Sequence, residues 1–277
     1  MKPDDPLFIY EFEGICEDPQ KIFKENFIAH WREGDCTFLF FSEPKEALIG
    51  EFIRDHGNLS WVRTHQMSYK EWQGGELLKP WSVGKFVFLP PWISLQRKPG
   101  KLNIMLDPGV VFGAGTHPTT RDCLQALLWI YEQEKPQKVL DLGTGTGILS
   151  LAAAALGAEE VLAVDLNPAC VQTAEKNAEY NDLRKKIKIM EGRAEEYIHL
   201  PADLAVMNIH FAVIRELISK QSFFEKKWVV ISGLLRSEFL EIKHQLHVPG
   251  FQLLKEWDSE FTWFTLAGRN KNGSVGS

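Results

Sequence analysis

Beyond residue 100 or so, short continuous apolar runs alternate with longer stretches whose apolar residues recur three or four positions apart. Buried runs separated by amphipathic segments predict parallel strands with helices packed on both faces. The expected strands are KVLDLG (138–143), EVLAVDL (160–166), KIKIMEG (186–192), DLAVMNI (203–209) and WVVISGLL (228–235). Helices are expected over 119–133, 148–157, 168–182, 213–224 and 236–247. Two further strands, FQLLKEWDS and FTWFTLAGR, adjoin across Glu260, and a join that short requires an antiparallel pair.

The first 64 residues have a different pattern, that of a small α/β domain. FIYEFEG (8–14) alternates as a strand does, PQKIFKENFIAHWRE (19–33) has helical apolar spacing, and DCTFLFFS (35–42) is β-prone. PKEALIGEFIRDHG (44–57) predicts a second amphipathic helix ended by Gly57, and SWVRTHQM (60–67) a closing strand. Residues 65–100 predict a connector that opens with a short helix at SYKEW and continues as a proline- and glycine-punctuated extended chain. Its tryptophans, Trp72, Trp81 and Trp92, argue that it is packed rather than free. The catalytic-type domain is expected over 101–270, with 271–277 (KNGSVGS) as a disordered tail.

Composition narrows the function classes. The 277 residues, 44% hydrophobic and 25% charged, suit a globular chain of one large or two modest domains. No apolar run approaches the roughly 20 residues of a membrane span. The N-terminus carries acids where a secretory leader carries bases, so a soluble, cytoplasmic protein is expected. Cys16, Cys36, Cys123 and Cys170 form no CxxC pair, which argues against a metal site or a disulfide framework. A net charge of −6 disfavours direct nucleic-acid binding through phosphates and suits a basic partner. Oligomeric state leaves no mark on the sequence.

The strongest chemical signal is VLDLGTGTGILS (139–150), where a strand runs into Gly143, Gly145 and Gly147 and then a helix. Glycines there permit a tight turn and bring a ligand against bare main chain. The spacing is G-x-G-x-G rather than the dinucleotide G-x-G-x-x-G, and Asp141 precedes it. A carboxylate there would repel a pyrophosphate but accept an ammonium or sulfonium end. S-adenosylmethionine has both cationic groups and no phosphate. Asp165, at the end of the next strand, is placed to accept two ribose hydroxyls. The loop LDPGVVFGAGTHPTT (106–120) is long enough to need a function, so Gly115, Thr116, His117 and Thr120 are expected to line the site. Thr119 or Thr120 is expected to cap the following helix. His117 invites an acid–base role, although an isolated loop histidine more often serves structure. Asn208 ends a strand where ligands bind and offers an amide carbonyl to a substrate N–H.

Together these segments resemble the PrmA family, the bacterial methyltransferases of ribosomal protein L11. The family's DPG-x-x-FG-x-GTHPTT loop is DPGVVFGAGTHPTT (107–120) here, and its D-x-G-x-G-x-G turn is DLGTGTG (141–147). An acid after the second strand (Asp165), the Asn208-Ile209 pair, and the TTRDCLQAL and EFTWFTLAGR segments also match, so the likeness covers about residues 68–270. The resemblance implies a Rossmann-like seven-stranded, mostly parallel sheet with an antiparallel C-terminal hairpin. It also implies S-adenosylmethionine as cofactor, contacted by Thr120, Gly143, Asp165 and Asn208, and N-methylation of a basic ribosomal protein recognised by the N-terminal domain. This chain departs from the family at Ala114, where threonine is usual, and at His210-Phe211-Ala212-Val213, where the family has Leu-Ala-Gly-Pro. The rival functions are a methyltransferase for another protein or small-molecule amine, a nicotinamide oxidoreductase, and a non-catalytic cofactor-binding homologue.

Overall fold

The computed structural model describes residues 1–16, 19–73, 79–93, 99–111 and 113–271. The chain divides into two compact units, Met1–Lys79 and Pro80–Ser277. Gly74, Gly75 and Phe112, and all of the expected tail but Lys271, lie outside the described residues.

The first unit runs β1 (Pro6–Glu13), α1 (Pro19–Ile22), β2 (Phe27–Glu33), β3 (Cys36–Phe41), α2 (Glu46–Asp55), β4 (Ser60–Ser68) and α3 (Tyr69–Trp72). Its antiparallel sheet has the order β2-β3-β1-β4. Phe23, Phe41 and Phe52 pack edge to face in its core. The helix expected over 19–33 is corrected here: only Pro19–Ile22 is helical, and Phe27–Glu33 pairs with β3 as an edge strand. Asn26 sits at φ 61, a left-handed position that stops a helix, and its carbonyl accepts the Ser42 N–H. The SYKEW helix forms with a Ser68/Glu71 capping box, and the Trp72 ring meets Trp31 and Phe40.

The second unit opens with β5 (Trp81–Val83), β6 (Phe86–Leu89) and β7 (Leu102–Met105), which make a small three-stranded sheet. Then come α4 (Pro118–Gln133), β8 (Lys138–Leu142), α5 (Ile148–Leu156), β9 (Glu160–Asp165), α6 (Pro168–Tyr180), β10 (Ile187–Glu191), α7 (Ala194–Tyr197) and β11 (Leu204–Asn208). The chain finishes with α8 (Phe211–Ile218), β12 (Trp228–Leu235), α9 (Arg236–Gln245), β13 (Phe251–Ser259) and β14 (Trp263–Asn270). The helix expected over 213–224 instead starts at Phe211 and ends at Ile218, followed by a 3-10 turn at Gln221–Glu225.

The large sheet has seven strands in the order β10-β9-β8-β11-β12-β14-β13, parallel through β12 and antiparallel in its last two pairings. Successive side chains point to opposite faces, so each strand feeds two cores. Val139, Val161, Val206 and Val230 join one cluster, whereas Leu140, Val164, Met207 and Ile231 join the other. This two-sided burial is why the strands read as unbroken apolar runs. The chain steps outward from β8 to β9 and β10 and then crosses back to β11 on the other side of β8, and the crevice beyond the C-terminal ends at that switch point is where such sheets bind ligands.

Candidate active site

The turn after β8 is shaped by backbone geometry before any ligand is considered. Gly143, Gly145 and Gly147 have φ of 79, 56 and 82. These left-handed values exclude most side chains. The Gly143 and Thr144 amides donate to the Val164 carbonyl, fastening the turn to the end of β9. Gly147 then caps α5, whose first-turn amides face the crevice.

Asp165 and Asp141 sit on either side of this turn in different ways. Asp165 Oδ2 accepts the Gly145 N–H at 2.8 Å, and Oδ1 accepts the Asn167 N–H at 2.9 Å. The Cys170 thiol and the Leu166 amide also donate to this carboxylate. Asp141, expected to favour a cationic ligand end, is 1% exposed and lies beneath the turn. Its Oδ2 accepts the hydroxyls of Thr144 at 2.7 Å and Ser150 at 2.6 Å, whereas Oδ1 is buried with no hydrogen-bond partner. Burial pushes both carboxyls above their ordinary value. Hydrogen bonds oppose it, from Ser150 and Thr144 at Asp141 and from the Asn167 and Gly145 amides at Asp165.

The loop 106–117 is held against the turn by residues that sequence reasoning missed. Asn177, wholly buried on α6, accepts the Asp107 N–H and donates to the Asp107 and Thr146 carbonyls. One turn on, Asn181 brackets Met105 in the same two-way fashion, and Lys176 pairs with Asp107 at 2.9 Å. The Thr146 hydroxyl donates to the Gly113 carbonyl, joining loop and turn. The available signal was an asparagine at a face of α6 that otherwise buries alanines and Cys170.

Among the loop candidates, Gly115 is buried, and a Cβ there would stand 1.9 Å from the Trp81 ring, so the loop follows that indole closely. Thr120 is buried in the first turn of α4, whereas Thr116 and His117 are exposed. The cap of α4 is His117 rather than Thr119 or Thr120. Its Nδ1 accepts from the Thr119 amide and bonds the Thr119 hydroxyl, with Pro118 filling the first helical position. The His117 ring meets Trp263 edge-on at 5.0 Å, and partial desolvation of the otherwise exposed residue holds the imidazole below its ordinary pKa.

Asn208 is half-buried at the end of β11, level with Ser232 of β12. A Cβ on Gly233 would lie 3.2 Å from Asn208 Oδ1, so the amide reaches over the end of the neighbouring strand. The structure therefore gathers Gly143, Gly145, Gly147, Asp165 and Asn208 at one edge of the sheet and keeps Asp141 below it. His210, at the altered segment, caps α8 through the Ala212 amide. Among the described residues no group of three His, Cys, Asp or Glu side chains is arranged to hold a metal ion, and no helix is long and apolar enough to cross a membrane.

A raised carboxyl at Asp165 predicts a pH dependence. Only the carboxylate accepts on both oxygens, so ligand affinity is complete above the folded pKa and declines as pH falls through it. The decline should start at higher pH than the roughly 3.9 of a free aspartate. Titration of cofactor binding from pH 7 downward should show this loss in the wild type. Asp165→Asn should bind more weakly at pH 7 and show a flatter profile over the same range. A wild-type profile flat to pH 4 would remove Asp165 from the contact.

A family model described as ribosomal protein L11 methyltransferase (PrmA) matches residues 30–271. A ribosomal protein L11 methyltransferase of Alkaliphilus metalliredigens is 34% identical over 218 residues, covering 76% of this chain and 68% of its own length. Its counterpart in Halalkalibacterium halodurans is 31% identical over 237 residues, 82% of this chain and 74% of that protein. The crystal structure of a ribosomal protein L11 methylase from Lactobacillus delbrueckii subsp. bulgaricus superposes with a TM-score of 0.59 at 30% identity. That superposition covers 67% of this chain and 94% of the other.

Proposed function

The chain belongs to the ribosomal protein L11 methyltransferase (PrmA) family and is a methyltransferase, and from that premise we propose how its site works. The methyl donor is S-adenosylmethionine, and the acceptors are lysine side chains or the N-terminal amine of ribosomal protein L11. The N-terminal domain recognises that protein, and the cytoplasm, where ribosomes assemble, is the setting.

The observation that carries the cofactor assignment is the pair of carboxylates around the glycine turn. With Asp165 at the turn and Asp141 beneath it, a pyrophosphate would meet two negative charges in a poorly solvated crevice. A ligand with a cationic amino-acid end and a neutral ribose suits the same residues. The glycine amides receive its carboxylate, Asp165 takes the ribose hydroxyls, and the unpaired Asp141 Oδ1 biases the turn toward positive charge. Gly115, Thr116, His117 and Thr120 line the loop side. Bound there, S-adenosylmethionine supplies an electrophilic methyl group.

The protein's remaining task is to present a neutral nitrogen in line with that methyl group. A lysine has a reference pKa of about 10.4, and removing its proton at pH 7 costs about 4–5 kcal/mol. Withdrawal into a poorly solvated mouth lowers the amine pKa and offsets part of this. Asn208 accepts one N–H of the amine through Oδ1, which aims the lone pair at the methyl carbon. No general base is required.

The test is incubation with methyl-labelled S-adenosylmethionine and undermethylated bacterial ribosomal proteins, with label located by mass spectrometry. Label on lysines or the N-terminus of L11 is expected. Transfer to a different protein alone would overturn the acceptor and leave the methyltransferase in place.

A further inference from the structure

Beside the strand ends where the acceptor must enter, the β13–β14 connection breaks two local rules at once. The turn Ser259–Thr262 is closed by the Thr262 N–H on the Ser259 carbonyl, and its central residues, Glu260 and Phe261, have φ of 55 and 56. Hairpin turns of this kind normally use asparagine and glycine, because an L side chain is strained there. The Phe261 side chain, moreover, is 76% exposed. Strained backbone and an aromatic ring left in water, combined at one residue, are features that concentrate at functional sites.

The turn is also held rigidly. Asp258 Oδ1 accepts the Phe261 N–H, the Ser259 hydroxyl donates to Asp122 of α4, and Trp263 packs on His117. Leu235 pairs with Trp263 in the ladder, so the turn projects just past the end of β12, the strand next to Asn208. Leu235 and Leu240, 43% and 56% exposed, line the same shallow groove as Phe261. Arg236 lines the groove itself, and the acids Asp258, Glu260 and Glu238 flank its lining residues along the chain, Asp258 and Glu238 each accepting a backbone N–H there.

We propose that Phe261, Leu235 and Leu240 form a docking surface for the acceptor polypeptide, additional to the N-terminal domain that recognises it. They seat an apolar residue of the substrate close to the amine to be methylated, while the acidic fringe draws in its lysine-rich surroundings. An apolar centre with a charged rim is the arrangement that anchors a partner chain, and the acidic rim complements a basic protein rather than a second copy of this acidic one. This rests on the reading of L11 as acceptor and deepens it.

The test is steady-state transfer to purified unmethylated L11 by wild type, Phe261→Gly and Leu240→Ser. Glycine relieves the backbone strain as it removes the ring, so Phe261→Gly should fold at least as stably as wild type. Its KM for L11 should rise at least about tenfold, the loss typical of a truncated interface anchor, with kcat at saturation and cofactor affinity unchanged. Leu240→Ser should shift KM in the same direction. An unchanged KM in both variants overturns the docking surface while leaving the acceptor assignment intact. A wild type that binds cofactor but transfers nothing to L11 overturns both.

Discussion

Asn208→Ala is expected to slow methyl transfer by about 10²–10³-fold, the range seen when a single positioned polar group at a reacting centre is removed, with little change in cofactor affinity. The alanine keeps β11 and its pairing with β12 but takes away Oδ1, which the structure sets close to Gly233. An acceptor amine would still enter. Its lone pair would wander, and misplacement by about 1 Å can cost on the order of 100-fold. The measurement is single-turnover transfer beside equilibrium cofactor binding. Comparable losses in rate and binding would make Asn208 a general support of the cofactor site, and an unchanged rate would remove it from the reaction. Asn208→Asp keeps an oxygen but adds a charge that holds the amine protonated, so it should also be slow, with activity recovering as pH rises.

Gly143→Ala should damage stability and cofactor binding together. The new Cβ would stand 1.8 Å from Ile209 Cγ2 at a φ of 79, so both the backbone and the neighbour must move. Ile209 follows Asn208, and its displacement carries the amide with it. Overpacking and left-handed strain together cost about 2–3 kcal/mol. For a unit the size of Pro80–Ser277 this lowers Tm by roughly 5–10 °C. Gly157→Ala is the control, because φ there is 119 but no atom lies within 4 Å of the added carbon. It should show strain without clash and leave cofactor affinity intact. A Gly143→Ala protein with wild-type Tm and affinity would mean that the turn is not as rigid as its hydrogen bonds to Val164 indicate.

Much of the fold follows from local pattern. The strand–turn–helix at 139–150 is written in its glycines, since a side chain is strained at the left-handed φ values of Gly143, Gly145 and Gly147. Both faces of the large sheet are buried, so its strands are continuous apolar runs, and the brevity of the join at Glu260 dictates an antiparallel ending. The loop and turn motifs were specific enough to identify the family. The failures have a common cause. Phe27, Ile28 and Trp31 have spacing that suits a helix as well as a strand, and pairing with β3 decides between them. His117 became the cap of α4 because Pro118 takes the first helical position, an arrangement that side-chain preference alone does not rank above threonine.

The sequence by itself determined the class of sheet, the glycine turn after β8 and the residues at the strand ends, because each depends on interactions within a dozen residues. Only the tertiary structure decided what those residues face. It buried Asp141 under the turn, pinned Asp107 to Asn177 across 70 positions, and set a strained phenylalanine at the turn beyond the end of β12. Hydrogen bonds and packing between distant segments form only once the sheet order is fixed. Periodicity and local propensity carry no information about that order.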